Sequence, residues 1–229
     1  MEKRKILKYL FSSILIVLTA HALTIHTMAG ELSPLEIIAI EVTWIPILVL
    51  TNENCRRALW VLFAAFSGYF LPRLLELLPW SILHILFVPD ILFNNFFFNL
   101  LGLNAKMVTW RGGVGIVMKG VGAVGYLVGC SSLREIPMLV AMALAVPTEW
   151  RKRVLASLIA SVLVFPTNAL RIAVILWAAK AFKWDLLTSH ILLSPILTLV
   201  LVTALMTLQD VILDKKLFIY LEKGMRCLF

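Results

Sequence analysis

Long apolar runs separated by short polar breaks dominate the chain, and their lengths predict helices that cross a membrane. A hydrocarbon core roughly 30 Å thick is crossed by about 20 helical residues. The first such run, Tyr9 to Met28, follows the basic flank Lys3, Arg4, Lys5 and Lys8. Ala20-His21-Ala22 imitates a signal-cleavage site, but apolar character continues beyond it, so the run reads as a retained first span. A second runs from about Leu32 to Leu50, ending in a polar turn with Arg56 and Arg57, and a third from about Ala58 to Leu78.

The pattern then changes. Ser81 to Leu103 is long enough to cross but carries His84, Asp90, Asn94, Asn95 and Asn99. An aspartate at a helix centre costs about 2.5 to 3.5 kcal/mol on insertion scales. The segment therefore suits a helix in the outer interface or packed inside a bundle. Asn104 to Gly129 holds glycines at 112, 113, 115, 120, 122, 125 and 129. Each disfavours helix by about 0.8 to 1 kcal/mol relative to Ala, which predicts an irregular or hairpin-like stretch outside the hydrocarbon. Three further helical units follow: Cys130 to Val146, Val154 past Pro166 to Arg171 and on towards Phe182, and His190 to Leu208.

Composition agrees with the pattern. Of 229 residues, 61% are hydrophobic and 15% charged, and the mean hydropathy is +0.96. These values exclude an ordinary soluble domain and leave no room for a large extramembrane catalytic one. In a soluble protein the net charge of +8 would raise the question of nucleic acid, but here no nucleic-acid partner is expected. Thirteen of the 21 Lys and Arg fall in the N-terminal flank, at Arg56 and Arg57, in Arg151-Lys152-Arg153 and in the tail (Lys215, Lys216, Lys223, Arg226). The positive-inside rule then puts both termini in the cytoplasm.

The expected architecture is an all-α polytopic membrane protein, one integral-membrane domain over residues 1–229. Three spans lie in 1–80, an outer interfacial helix and Gly-rich segment in 81–129, three spans in 130–209 and a cytoplasmic tail in 210–229. About six spans result. An eight-span variant, in which 81–129 crosses twice, has the same parity.

In this topology a thiol, a guanidinium and an imidazole reach the outer face from three helices. Cys130 opens one span, Arg171 lies near the outer end of the next, and His190 opens the last. A cysteine at a helix N-terminus is favoured as thiolate, a histidine can take and return its proton, and an arginine can hold an oxyanion or a substrate carbonyl. Arg134 shares a helix face with Cys130, and the adjacent Glu135 is a ready ion-pair partner. The three cysteines, Cys55, Cys130 and Cys227, are odd in number and widely spaced, so neither a disulfide framework nor a metal site is expected. No cofactor motif is present, and Cys55 and Cys227 receive no role.

The context of these residues resembles the exosortase/archaeosortase family of membrane-embedded cysteine transpeptidases. The resemblance rests on Gly129-Cys130-Ser131-Ser132-Leu133-Arg134, then Asn168-Ala169-Leu170-Arg171-Ile172, then His190 heading the final apolar run, and spans roughly Leu100 to Leu208. Two positions depart from the family pattern: Ser132 stands where a glycine or small residue is usual, and Ser194-Pro195 where a glycine follows the histidine. The compact length favours the archaeosortase side.

The resemblance implies protein sorting at the cell membrane. The substrates would be surface proteins with a C-terminal signal made of a short motif, a transmembrane helix and a basic cluster. Cys130 would form a thioester at the motif, Arg171 would stabilise substrate or oxyanion, and His190 would act as acid and base, with Asn168 in support. The new C-terminus would pass to an acceptor, with a membrane lipid amine as candidate. Lys106, Arg111 and Lys119, outside and before the cysteine, either meet anionic headgroups or hold a lipid phosphate near the thioester.

Two other classes compete. A small transporter or channel component could use Glu36, Glu41 and Arg171 along a path, but it would show repeated halves, and no convincing repeat is present. A noncatalytic envelope assembly protein would not need the thiol.

Overall fold

A computed structural model describes residues 2–27, 33–110, 112–126 and 130–228. Its elements run α1 (Glu2–Thr27), α2 (Pro34–Leu50), α3 (Glu53–Phe70), a 3-10 stretch (Leu71–Leu77), α4 (Trp80–Leu100), β1 (Ala105–Trp110), β2 (Gly113–Met118), β3 (Gly122–Tyr126), α5 (Ser132–Ala145), α6 (Trp150–Phe182), α7 (Leu186–Ile212) and α8 (Leu217–Leu228). Among the described residues, five helical stretches are long and apolar enough to cross a membrane: Lys3–Ala22, Glu53–Leu75, Trp80–Leu100, Trp150–Phe182 and Leu186–Ile212. The expected helical membrane architecture is present, with one small three-stranded sheet added to it.

The chain forms two compact units. One comprises residues 1–71, 138–157 and 208–229. Its α2 starts in a capping box: Ser33 Oγ accepts from the Glu36 N–H (3.3 Å), and the Glu36 carboxylate accepts from the Ser33 N–H (2.7 Å). Asn52 caps α3 by accepting from the Cys55 N–H at 3.0 Å. These caps, with the Thr51-Asn52 break between them, explain why the apolar pattern stops where it does. Glu36 also meets His21 at 3.2 Å, and Glu41 accepts from Ser67 Oγ at 2.5 Å, so both acids have structural partners.

In the same unit the basic tail over 210–229, given no element by the sequence pattern, folds as α8 and packs on α3. A Cβ at Gly224 would lie 2.7 Å from the Ala58 carbonyl oxygen, a helix-to-helix approach that only glycine permits. The approach brings Cys227 against Cys55 in a disulfide, with Cα atoms 5.7 Å apart and 172 residues between them. The expectation that these cysteines are unpaired is therefore overturned. Sequence spacing carries no information about two helices joined only by tertiary packing.

The second unit comprises residues 72–137 and 158–207. Its sheet has the order β1-β2-β3, antiparallel throughout, with Met107 opposite Ile116 and Val114 opposite Tyr126. Gly112 (φ 86°) and Gly120 (φ 82°) sit in the two turns, where a left-handed backbone is needed. The irregular or hairpin-like stretch expected over 104–129 contains an antiparallel meander, β1 to β3. Helix propensity correctly excluded a helix, but the alternation of Val, Ile and Met with Gly is the period-2 signature of strands.

One sheet face (Met107, Val114, Ile116, Met118, Tyr126) joins Phe87 and Phe98 of α4 and Ile172, Ala173, Leu176 and Ala179 of α6 in a buried core. Lys106 and Val117 lie on the exposed face. α5 has 14 residues, about 21 Å, whereas α6 runs 33 residues, about 50 Å, past Pro166 to Phe182, as the apolar pattern there predicts.

Candidate active site

The chain leaves the sheet at Tyr126 and re-enters helix at Ser132, so Cys130 sits in the turn before α5. The first N–H groups of a helix lack intrahelical partners, and here a side chain from another helix supplies one. Asp90, fully buried in α4, accepts from the Ser132 N–H at 3.1 Å and from Ser132 Oγ at 2.6 Å. Ser131 Oγ accepts from the Leu133 N–H at 3.2 Å. The Ser132 hydroxyl is thus half of a buried contact with Asp90.

Two residues one turn apart on α6 hold the Cys130 backbone. Asn168 Nδ2 is 3.2 Å from the Cys130 carbonyl oxygen, 2.9 Å from Tyr126 Oη and 3.3 Å from Asp90 Oδ1. Because the carbonyl and the carboxylate only accept, the amide nitrogen must face them, which fixes the orientation of Asn168. Arg171, 2% exposed, donates from one terminal nitrogen to the Cys130 carbonyl at 2.7 Å and from the other to Thr198 Oγ1 at 2.7 Å. That second nitrogen lies 3.5 Å from Glu135 Oε1, which also accepts from Arg134 at 2.6 Å. A cation pair bridged by one carboxylate satisfies charges that could not be buried singly.

The third helix brings the imidazole. Asp185 caps α7, accepting from the Thr188 N–H at 2.8 Å and from Thr188 Oγ1 at 2.5 Å, and these bonds hold its carboxyl below its usual range. The helix therefore starts at Leu186, and His190 lies in its second turn instead of opening it. His190 Nε2 is 3.9 Å from Cys130 Sγ. Cys130 is partly exposed and, of the three cysteines, the one outside a disulfide. The Tyr126 phenol is pushed well above its ordinary pKa, first by burial and then by the Asp90 carboxylate, so it stays a neutral hydroxyl at physiological pH.

Cys130, Arg171, His190 and Asn168 are therefore brought together, and Arg134 joins them through Glu135. Lys106 and Lys119 are not. Both are exposed near the end of β2 opposite Val114, the residue paired with Tyr126 on the strand that leads to Cys130. Five strand residues, about 17 Å, separate Lys119 from Val114. Arg111 lies outside the described residues. Sequence reasoning gave no site role to Asp90, Tyr126, Glu135 or Thr198. The available signal was Asp90 itself, a carboxylate in an apolar helix.

Beside Arg171, α5, α6 and α7 line a small pocket with Glu135, Asn168 and Arg171 together with Val164, Leu201 and Leu205. Among the described residues, Arg171 Nε, Glu135 Oε2 and Asn168 Oδ1 are buried without a hydrogen-bond partner. Chemically, the site offers a thiol, a base within reach of it and an unengaged guanidinium N–H. Comparison of the chain with protein-family models, with curated proteins and with solved structures finds no match.

Proposed function

We propose that the protein is a membrane-embedded cysteine protease and transpeptidase of the exosortase/archaeosortase kind, nearer the archaeosortase side. It cleaves the C-terminal sorting signal of surface proteins and transfers the new C-terminus to an acceptor, taken here as a membrane lipid amine. The observation that carries the reading is the approach of Cys130 Sγ to His190 Nε2 at 3.9 Å, with Arg171 held on the Cys130 carbonyl at 2.7 Å.

His190 takes the thiol proton, and the thiolate attacks the scissile carbonyl carbon. The resulting oxyanion is stabilised by Arg171, whose buried Nε–H has no other partner among the described residues. The C–N bond breaks as His190 returns the proton to the leaving amine, and a thioester remains on Cys130. The acceptor amine then attacks the thioester, giving its proton to His190, and the sulfur leaves as thiolate to be reprotonated.

Both termini are taken as cytoplasmic, with the site at the outer face of the cell membrane. This is supported by the basic clusters at 151–153 and in the tail. It is also supported by the position of Arg171, 21 residues or about 32 Å from the start of α6, close to the hydrocarbon thickness. In the turns of α6 beyond it, Ile172, Ala173, Leu176 and Ala179 pack in the core with the sheet. The test is Cys130→Ala in cells. Loss of signal processing with normal membrane insertion is expected, and normal processing would refute the proposal.

A further inference from the structure

Asp90 lies outside the three motifs and has no part in the proton or acyl transfers. Yet it is a fully buried carboxylate in a membrane-type helix, and such a group is costly unless it is doing something. It is not a stray charge. Three donors from two other helices converge on it: the Ser132 N–H, Ser132 Oγ–H and Asn168 Nδ2–H. The first two belong to the residue two positions after Cys130. The third comes from the amide that also reaches the Cys130 carbonyl.

α4 is held locally as well, since Asn94 Nδ2 donates to the Asp90 carbonyl at 2.7 Å. The Phe87 and Phe98 side chains of the same helix are anchored in the core shared with Tyr126 and Ile172. Asp90 thus presents a fixed acceptor to the short 3-10 turn that carries Cys130 into α5. A carboxylate at the N-terminus of α5 also has the sign favoured by the helix dipole.

We propose that Asp90 is a positioning residue: by capping α5 from α4 and orienting Asn168, it sets the Cys130 thiol against His190. It acts through Ser132 and Asn168 and does not touch the reacting atoms. The proposal deepens the cysteine-nucleophile reading and rests on it, but its test reads the thiol directly. Because Cys55 and Cys227 are joined, a small maleimide under non-reducing conditions reports Cys130 alone in the full-length protein in membranes.

Its rate at neutral pH should fall about fivefold or more in Asp90→Ala, as expected for groups coupled through one hydrogen-bonded network, towards the rate of His190→Ala. Asp90→Asn keeps an acceptor for Ser132 and should recover most of the rate. Ser132→Ala, which removes a single hydroxyl and is the milder disturbance to folding, should lower the rate in the same direction. In the His190→Ala background neither Asp90→Ala nor Ser132→Ala should lower it further, because the contact they protect is already gone. An unchanged rate in both Asp90→Ala and Ser132→Ala, or the same fractional fall with His190 absent, would overturn the proposal. If Cys130→Ala left processing intact, the sorting function would fail, whereas the alkylation cycle would still decide the role of Asp90.

Discussion

The Cys130 sulfur lies 3.9 Å from His190 Nε2 although 60 residues of chain separate them. The separation is bridged by the site's other contacts: Asp90 and Arg171 fix the Cys130 turn from α4 and α6, and the Asp185 cap sets where α7 starts. A thiol paired with an imidazole loses its base when the ring is removed. His190→Ala should therefore slow signal processing by about a hundredfold to ten-thousandfold, with the protein inserted at wild-type level. Processing of a tagged substrate, followed by gel mobility, checks this.

Arg171 should not be replaceable by lysine. Its two terminal nitrogens serve different acceptors, the Cys130 carbonyl and Thr198, and a single ammonium on a flexible stem does not reproduce that fork. Arg171→Lys is expected to process substrate nearly as poorly as Arg171→Ala. It should also lower stability by about 1 to 3 kcal/mol through buried acceptors left unpaired, measured as a fall in thermal unfolding midpoint in detergent.

Burial of Tyr126 sets an alkaline limit on stability. Its folded-state pKa lies well above that of the unfolded chain, so above about pH 10 the unfolded state gives up this proton while the folded state keeps it. The unfolded state then binds fewer protons and stability falls with rising pH. Tyr126→Phe removes that group, so its unfolding midpoint should decline less steeply than that of the wild type as pH is raised past 10.

The Cys55–Cys227 bond gives a thiol count that is easily tested. Under denaturing, non-reducing conditions one cysteine should be alkylated, and after reduction three, read by intact mass. Replacing Cys55 and Cys227 together with Ser should destabilise the protein by about 2 to 5 kcal/mol without changing the maleimide rate of Cys130. In the proposed topology the pair faces the cytoplasm, where structural disulfides are rare outside hyperthermophiles. An impermeant thiol reagent should therefore reach the reduced pair only from the cytoplasmic side; labelling from outside would reverse the assigned orientation.

Much of this site was legible because its chemistry sits on residue types that are unusual in apolar runs. Cys130, Arg171 and His190 stand out against their neighbours, and span counting puts them at one depth. Their supports were harder to read. Asp90 was visible as an anomaly, but its partners, Ser132 and Asn168, are 42 and 78 residues away, and nothing local ties them together. Glu135 and Thr198 look like an ordinary ion-pair residue and an ordinary span residue until Arg171 is placed between them. A hairpin-like stretch was readable from the glycines, but its three strands were not, because glycine was weighed for its helix penalty and not for the alternation it takes part in. Lys106 and Lys119 looked close to Cys130 only along the chain; the meander carries them to the far end of β2. The α3–α8 crossing, and with it the disulfide, depends on Gly224 meeting Ala58, a contact no periodicity encodes.

The central claim is covalent, and so is its most direct test. With Cys130 intact and acceptor withheld, a substrate bearing the sorting signal should accumulate as an adduct of the two proteins. The adduct should be cleaved by neutral hydroxylamine, be absent from Cys130→Ala and be strongly reduced in His190→Ala and Arg171→Ala. Substrate cleavage that proceeds in Cys130→Ala, with no hydroxylamine-sensitive adduct in the wild type, would contradict it.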